Sequence, residues 1–158
     1  MRKMSNLKTH RRARQRGVAI VEFTIILPIM LFLILVVAEF GRAFMYYNTL
    51  TRAVRDSARY VASNALKGQS QVVEIDANLI QDAQNLVDYG NAAGSGTPSI
   101  LSISAGTVTI TDEGDGVISV LASYPYTPML GSILPDFARG GGISTVFTMH
   151  AEVTMKAI

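Results

Sequence analysis

Apolar positions run almost unbroken from Val18 to Ala38. They then thin to one face of a helix, and near the C-terminal end they alternate with polar ones. The 21 residues VAIVEFTIILPIMLFLILVVA (18–38) span about 30 Å as a helix, the thickness of a bilayer's hydrocarbon core. The pattern continues past Ala38 with no small-residue cleavage site of the secretory kind, so the segment reads as membrane-spanning and retained. Phe40, Phe44, Tyr47, Leu50, Val54, Ala58 and Val61 follow at spacings of three and four. That is one apolar stripe on a continuing helix, with Arg42, Asn48, Arg52, Arg55, Asp56, Arg59 and Ser63 on the opposite face. Arg52 and Asp56, four apart, are expected to pair. The helix is expected to fade at Leu66–Gly68, and Pro28 and Gly41 are its two points of bending or loosening.

A second helix is predicted from about Val73 to Tyr89, with Leu79, Ile80, Ala83, Leu86 and Val87 inward, acids in its first turn and Gly90 as its stop. GNAAGSGTPS (90–99) reads as loop. The period then becomes two. ILSISAGTVTIT (100–111) and VISVLASYPY (117–126) form a hairpin across a five-residue DEGDG connection. TPMLGSILPDFARGGG (127–142) reads as irregular and ISTVFTMHAEVTM (143–155) as a third strand. The predicted class is α+β: a long N-terminal helix, a short helix, and a small antiparallel sheet packed on the first helix's stripe.

Charge changes the picture at the N-terminus. The net charge of +2 conceals seven Lys/Arg and no acid in residues 1–17. Residues 18–158 hold seven basic and twelve acidic side chains, a net of −5. Basic residues abutting a span stay cytoplasmic, which puts the rest of the chain outside the inner membrane. The alternative, a basic arm for nucleic acid, fits less well directly beside a span than an orientation signal does. The organisation is then a basic leader (1–17), a transmembrane part (18–38), an amphipathic continuation (39–68) and an extracytoplasmic head (69–158). The absence of cysteine is compatible with an external domain and decides little.

Enzyme chemistry has no residue set behind it. HExxH, GxSxG and a cysteine nucleophile are all missing. His150 has no partner motif. Asp112, Glu113 and Asp115 lack the spacing of a calcium loop, and GSG (94–96) and GGG (140–142) lack the lysine and the strand–helix setting of a phosphate loop. No metal, cofactor or catalytic residue is expected. Tyr124 and Tyr126 read as sheet packing.

One residue stands out: Glu22, a carboxylate inside a bilayer-length apolar run, five positions after Gly17 and its basic leader. An unpaired carboxylate in hydrocarbon costs several kcal/mol, unless it lies near enough to the headgroups to reach out. Gly17-Val18-Ala-Ile-Val-Glu22-Phe23 behind a basic leader resembles a type IV prepilin processing site. More narrowly, Glu22, Phe23, Pro28, Glu39 and Gly41 resemble the first segment of TadE-like minor pseudopilins of the tight-adherence (Flp) pilus system. SYPYTPML (123–130) and the final strand resemble that family's C-terminal part. The likeness is strongest over residues 15–66 and looser over 117–155.

The resemblance implies cleavage between Gly17 and Val18 by a prepilin peptidase on the cytoplasmic face, which frees an amine at Val18. Glu22 then lies one helical turn away and also within reach of a neighbouring subunit's amine, and pairing fixes the stagger between helices. It also implies partners: other pilins or pseudopilins, an inner-membrane assembly platform and membrane lipid, with no nucleic acid. Major Flp pilins are little more than the helix and usually carry Tyr where this chain has Phe23. The bulky head therefore points to a minor subunit that primes or caps assembly. Arg52, Arg55 and Arg59 are candidates to meet a partner's acids. The alternative is an uncleaved single-pass anchored adhesin or envelope scaffold. Glu22→Ala is expected to leave membrane insertion intact and to abolish incorporation into a pilus, scored by immunoblot of sheared fibres. Normal incorporation would remove the register role.

Overall fold

The computed structural model describes residues 7–66, 72–98, 106–129, 133–135, 142–144 and 146–157. Helix α1 spans Leu7–Asn64 and helix α2 Ala77–Tyr89. The strands are β1 (Thr107–Gly114), β2 (Val117–Tyr126), β3 (Ile133–Pro135), β4 (Gly142–Ser144) and β5 (Phe147–Lys156). A three-stranded antiparallel sheet has the order β1-β2-β5, and β3 pairs with β4 separately. The class is α+β, as the periodicities predict. The chain divides into two compact units, Met1–Phe40 and Gly41–Ile158.

Helix α1 is longer than its apolar pattern. It begins at Leu7, within the basic leader, and passes through Pro28 and Gly41 without interruption. Helix α2 starts four residues later than the sequence places it. The reason is Asp76, whose extended backbone makes it the N-cap and whose carboxylate accepts from the Leu79 N–H at 2.7 Å. Glu74 and Asp76 thus precede the helix, and its first turn holds no acid. Val73 instead bridges to Leu66 at the foot of α1. Gly90 closes α2 in the left-handed region, φ 74°, donating to the Leu86 carbonyl.

The hairpin connection is two residues, not five. Asp115 (φ 52°) and Gly116 (φ 73°) make a turn with both central residues left-handed, which matches the strands' twist. Asp112–Gly114 therefore belong to β1, with an irregularity in register between Asp112 and Gly114. The segment predicted as one strand over 143–155 is two, β4 and β5, and the stretch expected to be irregular contributes β3. The predicted strand over 100–111 is seen from Thr107, since 99–105 lie outside the described residues.

The second unit has one core. In β2, Ile118, Val120, Ala122, Tyr124 and Tyr126 alternate inward, opposite Val153, Ala151 and Met149 of β5. The α1 face that joins this core is Leu50, Val54, Ser57, Ala58, Val61 and Ala65. Here the expected stripe is corrected at its lower end. Phe40, Phe44 and Tyr47 are exposed, and Ala43 and Tyr46, on the flank of the stripe, pack against the core in their place. Full burial on α1 begins only at Leu50. Small residues let α1 and α2 approach closely enough for the buried Ser57 hydroxyl to donate to the Ala83 carbonyl at 3.1 Å. Beside it the Tyr60 hydroxyl donates to Asp82 at 2.9 Å.

A polar node joins α2 to the sheet. Tyr124 is fully buried, and its hydroxyl donates to Asp88. Gln84 donates to Asp88 (2.8 Å) and to the Tyr124 oxygen (3.1 Å), and its own carbonyl accepts from the Val108 N–H at 2.9 Å. Every strong donor in the node thus has an acceptor. Burial first, then the bond to Asp88, push the Tyr124 phenol well above its ordinary value near 10. Gly106 lies flat on that ring, so a Cβ there would sit 2.0 Å from the Tyr124 Cε1.

Two outcomes follow for the full chain in detergent. Gly106→Ala forces the buried ring to move and is expected to cost about 1–3 kcal/mol in chemical denaturation. An unchanged midpoint would show that the ring yields freely. The folded protein keeps the Tyr124 proton at a pH where the unfolded chain releases it. Its contribution is therefore complete below about pH 10 and is lost as pH rises above that. Tyr124→Phe is expected to flatten this alkaline decline while lowering stability at neutral pH by about 1–3 kcal/mol, because Asp88 loses a donor. An equally steep alkaline decline in the variant would assign the effect elsewhere.

Candidate functional site

In the first unit the residues singled out by charge pattern lie on one helix. Gly17, Val18, Glu22 and Phe23 are all exposed on α1. Val18, Val21, Glu22 and Ile25 share a single face, at spacings of three and four. The Glu22 carboxylate is thus one turn from the Val18 nitrogen, on the same side. Thr24, the next polar side chain, turns its hydroxyl back to the Ile20 carbonyl at 2.8 Å and so presents no free donor to its surroundings. Gly17 is itself helical, and a Cβ added to it would meet nothing within 4 Å. Glycine lowers the helix's resistance to unwinding there by about 1 kcal/mol relative to alanine.

The second unit holds a cluster that periodicity did not reveal. Arg42, assigned above to the solvent face, is half-buried. Its guanidinium lies 5.6 Å from the centre of the Tyr46 ring and 5.3 Å from that of Tyr126, and it donates to the Thr127 carbonyl at 3.0 Å. Tyr46 meets Tyr126 edge-on at 5.9 Å, and Tyr126 meets Phe147 at 5.1 Å. The YPYT run thus supplies both anchors of the head: Tyr124 to α2, and Tyr126 with Thr127 to α1. Both tyrosines are packing residues, as expected. The four-residue spacing of Arg42 and Tyr46 was the available signal, but the partner ring lies 84 residues along the chain from Arg42.

The other flagged residues stay apart. Arg52, Arg55 and Arg59 are exposed along α1, and Asp56 is exposed beside them. No Arg52–Asp56 ion pair is present among the described residues. His150 is exposed and bonds only locally, its Nδ1 lying 2.9 Å from the Ser123 hydroxyl. Asp112 is used in the turn, accepting from the Gly114 N–H at 2.9 Å. Among the described residues no group of three or more His, Cys, Asp or Glu is arranged to hold a metal ion.

Residues 17–59 match the family model of TadE-like proteins, a family of the Tad (Flp) pilus system that is not known for enzymes. The match bears out the resemblance to TadE-like proteins carried by Glu22, Phe23, Pro28, Glu39 and Gly41. It takes in the apolar stretch of α1, which is long enough to cross a membrane, and it leaves out residues 1–16 and everything after residue 59. No curated protein and no solved structure matches the chain.

Proposed function

We propose that this chain is a minor pseudopilin of a Tad pilus, anchored in the inner membrane with its leader in the cytoplasm and cut between Gly17 and Val18. The observation that carries the reading is where the family match begins: at Gly17, the last residue of the basic leader. A match starting there is what a mature segment with a removable leader would give.

The chemistry follows from the helix. While the leader is attached, the Val18 nitrogen is an amide within α1. Hydrolysis of the Gly17–Val18 bond turns it into an ammonium at a new helix N-terminus, where the dipole also favours a nearby carboxylate. Glu22, one turn up, becomes the counter-ion of its own amine or of a neighbour's. The pairing offsets the cost of holding both charges in hydrocarbon, and it does so at one axial offset between adjacent helices only. Extraction of the span from lipid is then coupled to lateral burial against similar helices. A head of this size would crowd a fibre of bare helices if it repeated along it, which supports a role at a tip or in an initiating complex.

Mass spectrometry of the mature N-terminus tests the reading. Val18 is the expected first residue in cells with the prepilin peptidase, and an intact leader is expected in cells without it. Retention of Met1 in peptidase-competent, piliated cells would overturn the proposal in favour of a permanently anchored adhesin or scaffold.

A further inference from the structure

Large apolar side chains that stay exposed in the second unit gather at one end of it. Met129 (78 %), Met45 (71 %) and Phe44 (66 %) are there, with Val146, Phe147 and Tyr47 about half exposed. Among the described residues of that unit only Val72 and Ile80 are comparable elsewhere. Arg42 ties this end together, reaching from α1 to the Thr127 carbonyl at 3.0 Å, and Phe147 lies on Tyr126 at 5.1 Å. Met129 is two residues beyond Thr127, and Val146 precedes Phe147. Single exposed apolar residues are ordinary, whereas a cluster marks a contact surface. Residues 41–50, 123–129 and 146–149 contain no acid, and their one charged side chain is Arg42, flanked by Tyr46 and Tyr126.

We propose that this end of the head rests on the lipid surface, with Met129, Val146 and Phe147 dipping into the boundary between headgroups and acyl chains. Chain connectivity supplies the argument. Four residues separate Ala38, the last of the apolar run, from Arg42, a distance of about 6 Å in a helix and at most about 14 Å stretched out. The headgroup layer on one side of a bilayer is roughly 5–8 Å deep. Arg42 is therefore held at or just above the headgroups whatever angle the head takes, and Tyr126, Thr127 and Phe147, packed around it, are held there too. The composition suits that place. Tyrosine and arginine keep a polar tip among headgroups while their apolar parts face the tails, and methionine, valine and phenylalanine gain by leaving water. The acids Asp112, Glu113 and Asp115 lie at the other end of β2, away from anionic lipid. The inference rests on the proposed membrane anchor and not on cleavage at Gly17 or on a pilus.

The chain has no tryptophan, so single-tryptophan variants report their own position. The full chain is reconstituted in vesicles of phosphatidylethanolamine and phosphatidylglycerol whose acyl chains are brominated near the headgroup, and emission is compared with that in unbrominated vesicles. Met129→Trp and Phe147→Trp probe the surface at two positions, which guards against one ring displacing its neighbours. Val72→Trp is the control, since Val72 is 64 % exposed and lies beside the β1–β2 turn, about 30 Å away along β2. Ile29→Trp reports the span. Quenching at 129 and 147 is expected to be at least threefold that at 72, alongside strong quenching at 29. Quenching at 29 with 129 and 147 no different from 72 would overturn the inference and leave the anchor standing, the surface then belonging to a protein partner or to water. No quenching at 29 would overturn the anchor itself, and this inference with it.

Discussion

Hydrocarbon offers no hydrogen bond to a peptide group, and this dictates the form of α1. Any backbone crossing the bilayer core as a single segment has to satisfy its own N–H and C=O groups, which a helix does and a lone strand cannot. Pro28, which removes one N–H, is tolerated within the helix, and Thr24 spends its hydroxyl on the helix's own carbonyl. In the second unit α1 offers the head an apolar face from Leu50 to Val61, with Ala65 just past its end. The two units use one secondary structure differently: the first carries a stretch long and apolar enough to cross a membrane, and the second has one face covered by the head.

The head answers with two different kinds of attachment. Against α1 the core is aliphatic and small, with one buried hydroxyl, Ser57, bonded across to α2. Between α2 and the sheet the link is polar, through Gln84, Asp88 and the Tyr124 hydroxyl. Apolar contact tolerates a small slide, whereas a node of directional bonds around a buried ring does not. The node therefore fixes the register of α2 on β1 and β2, and Gly106 is the position whose lack of a side chain permits the backbone to lie on the ring. At the other end of β2, Arg42 between two tyrosines performs the corresponding role on α1, with a charge whose stem and planar head are both in contact.

Much of this was legible from residue patterns, and the failures have physical reasons. The span, Gly90 as a stop and the alternation of β2 are dictated by short-range chemistry. The Glu22 carboxylate is conspicuous in the apolar run for the same short-range reason. The start of α2 was misplaced because acids before a helix and acids in its first turn look alike, and only the extended backbone of Asp76 tells them apart. Asp112 and Glu113 read as loop by composition, yet an exposed edge strand accepts them. The stripe from Phe40 to Val61 was periodic throughout, but periodicity reports which residues share a face and not how far along it a cover extends. Arg42 needed Tyr126, a partner that no local window contains. β3 and β4 are three residues each, below the length at which alternation is visible.

Because α1 forms one wall of the head's interior, the soluble part of this protein cannot be excised at the membrane boundary of its choice. A fragment starting at the α1–α2 connection would expose the inner surfaces of α2 and β2, and one starting at Leu50 would lose Arg42 and Tyr46 from beneath Tyr126. The earliest separable piece begins at Gly41, and it carries Phe44 and Tyr47 into solution with it. During synthesis the same arrangement means that the helix leaves the ribosome long before its cover exists, so the nascent wall waits bare until the last strand, β5, has been made.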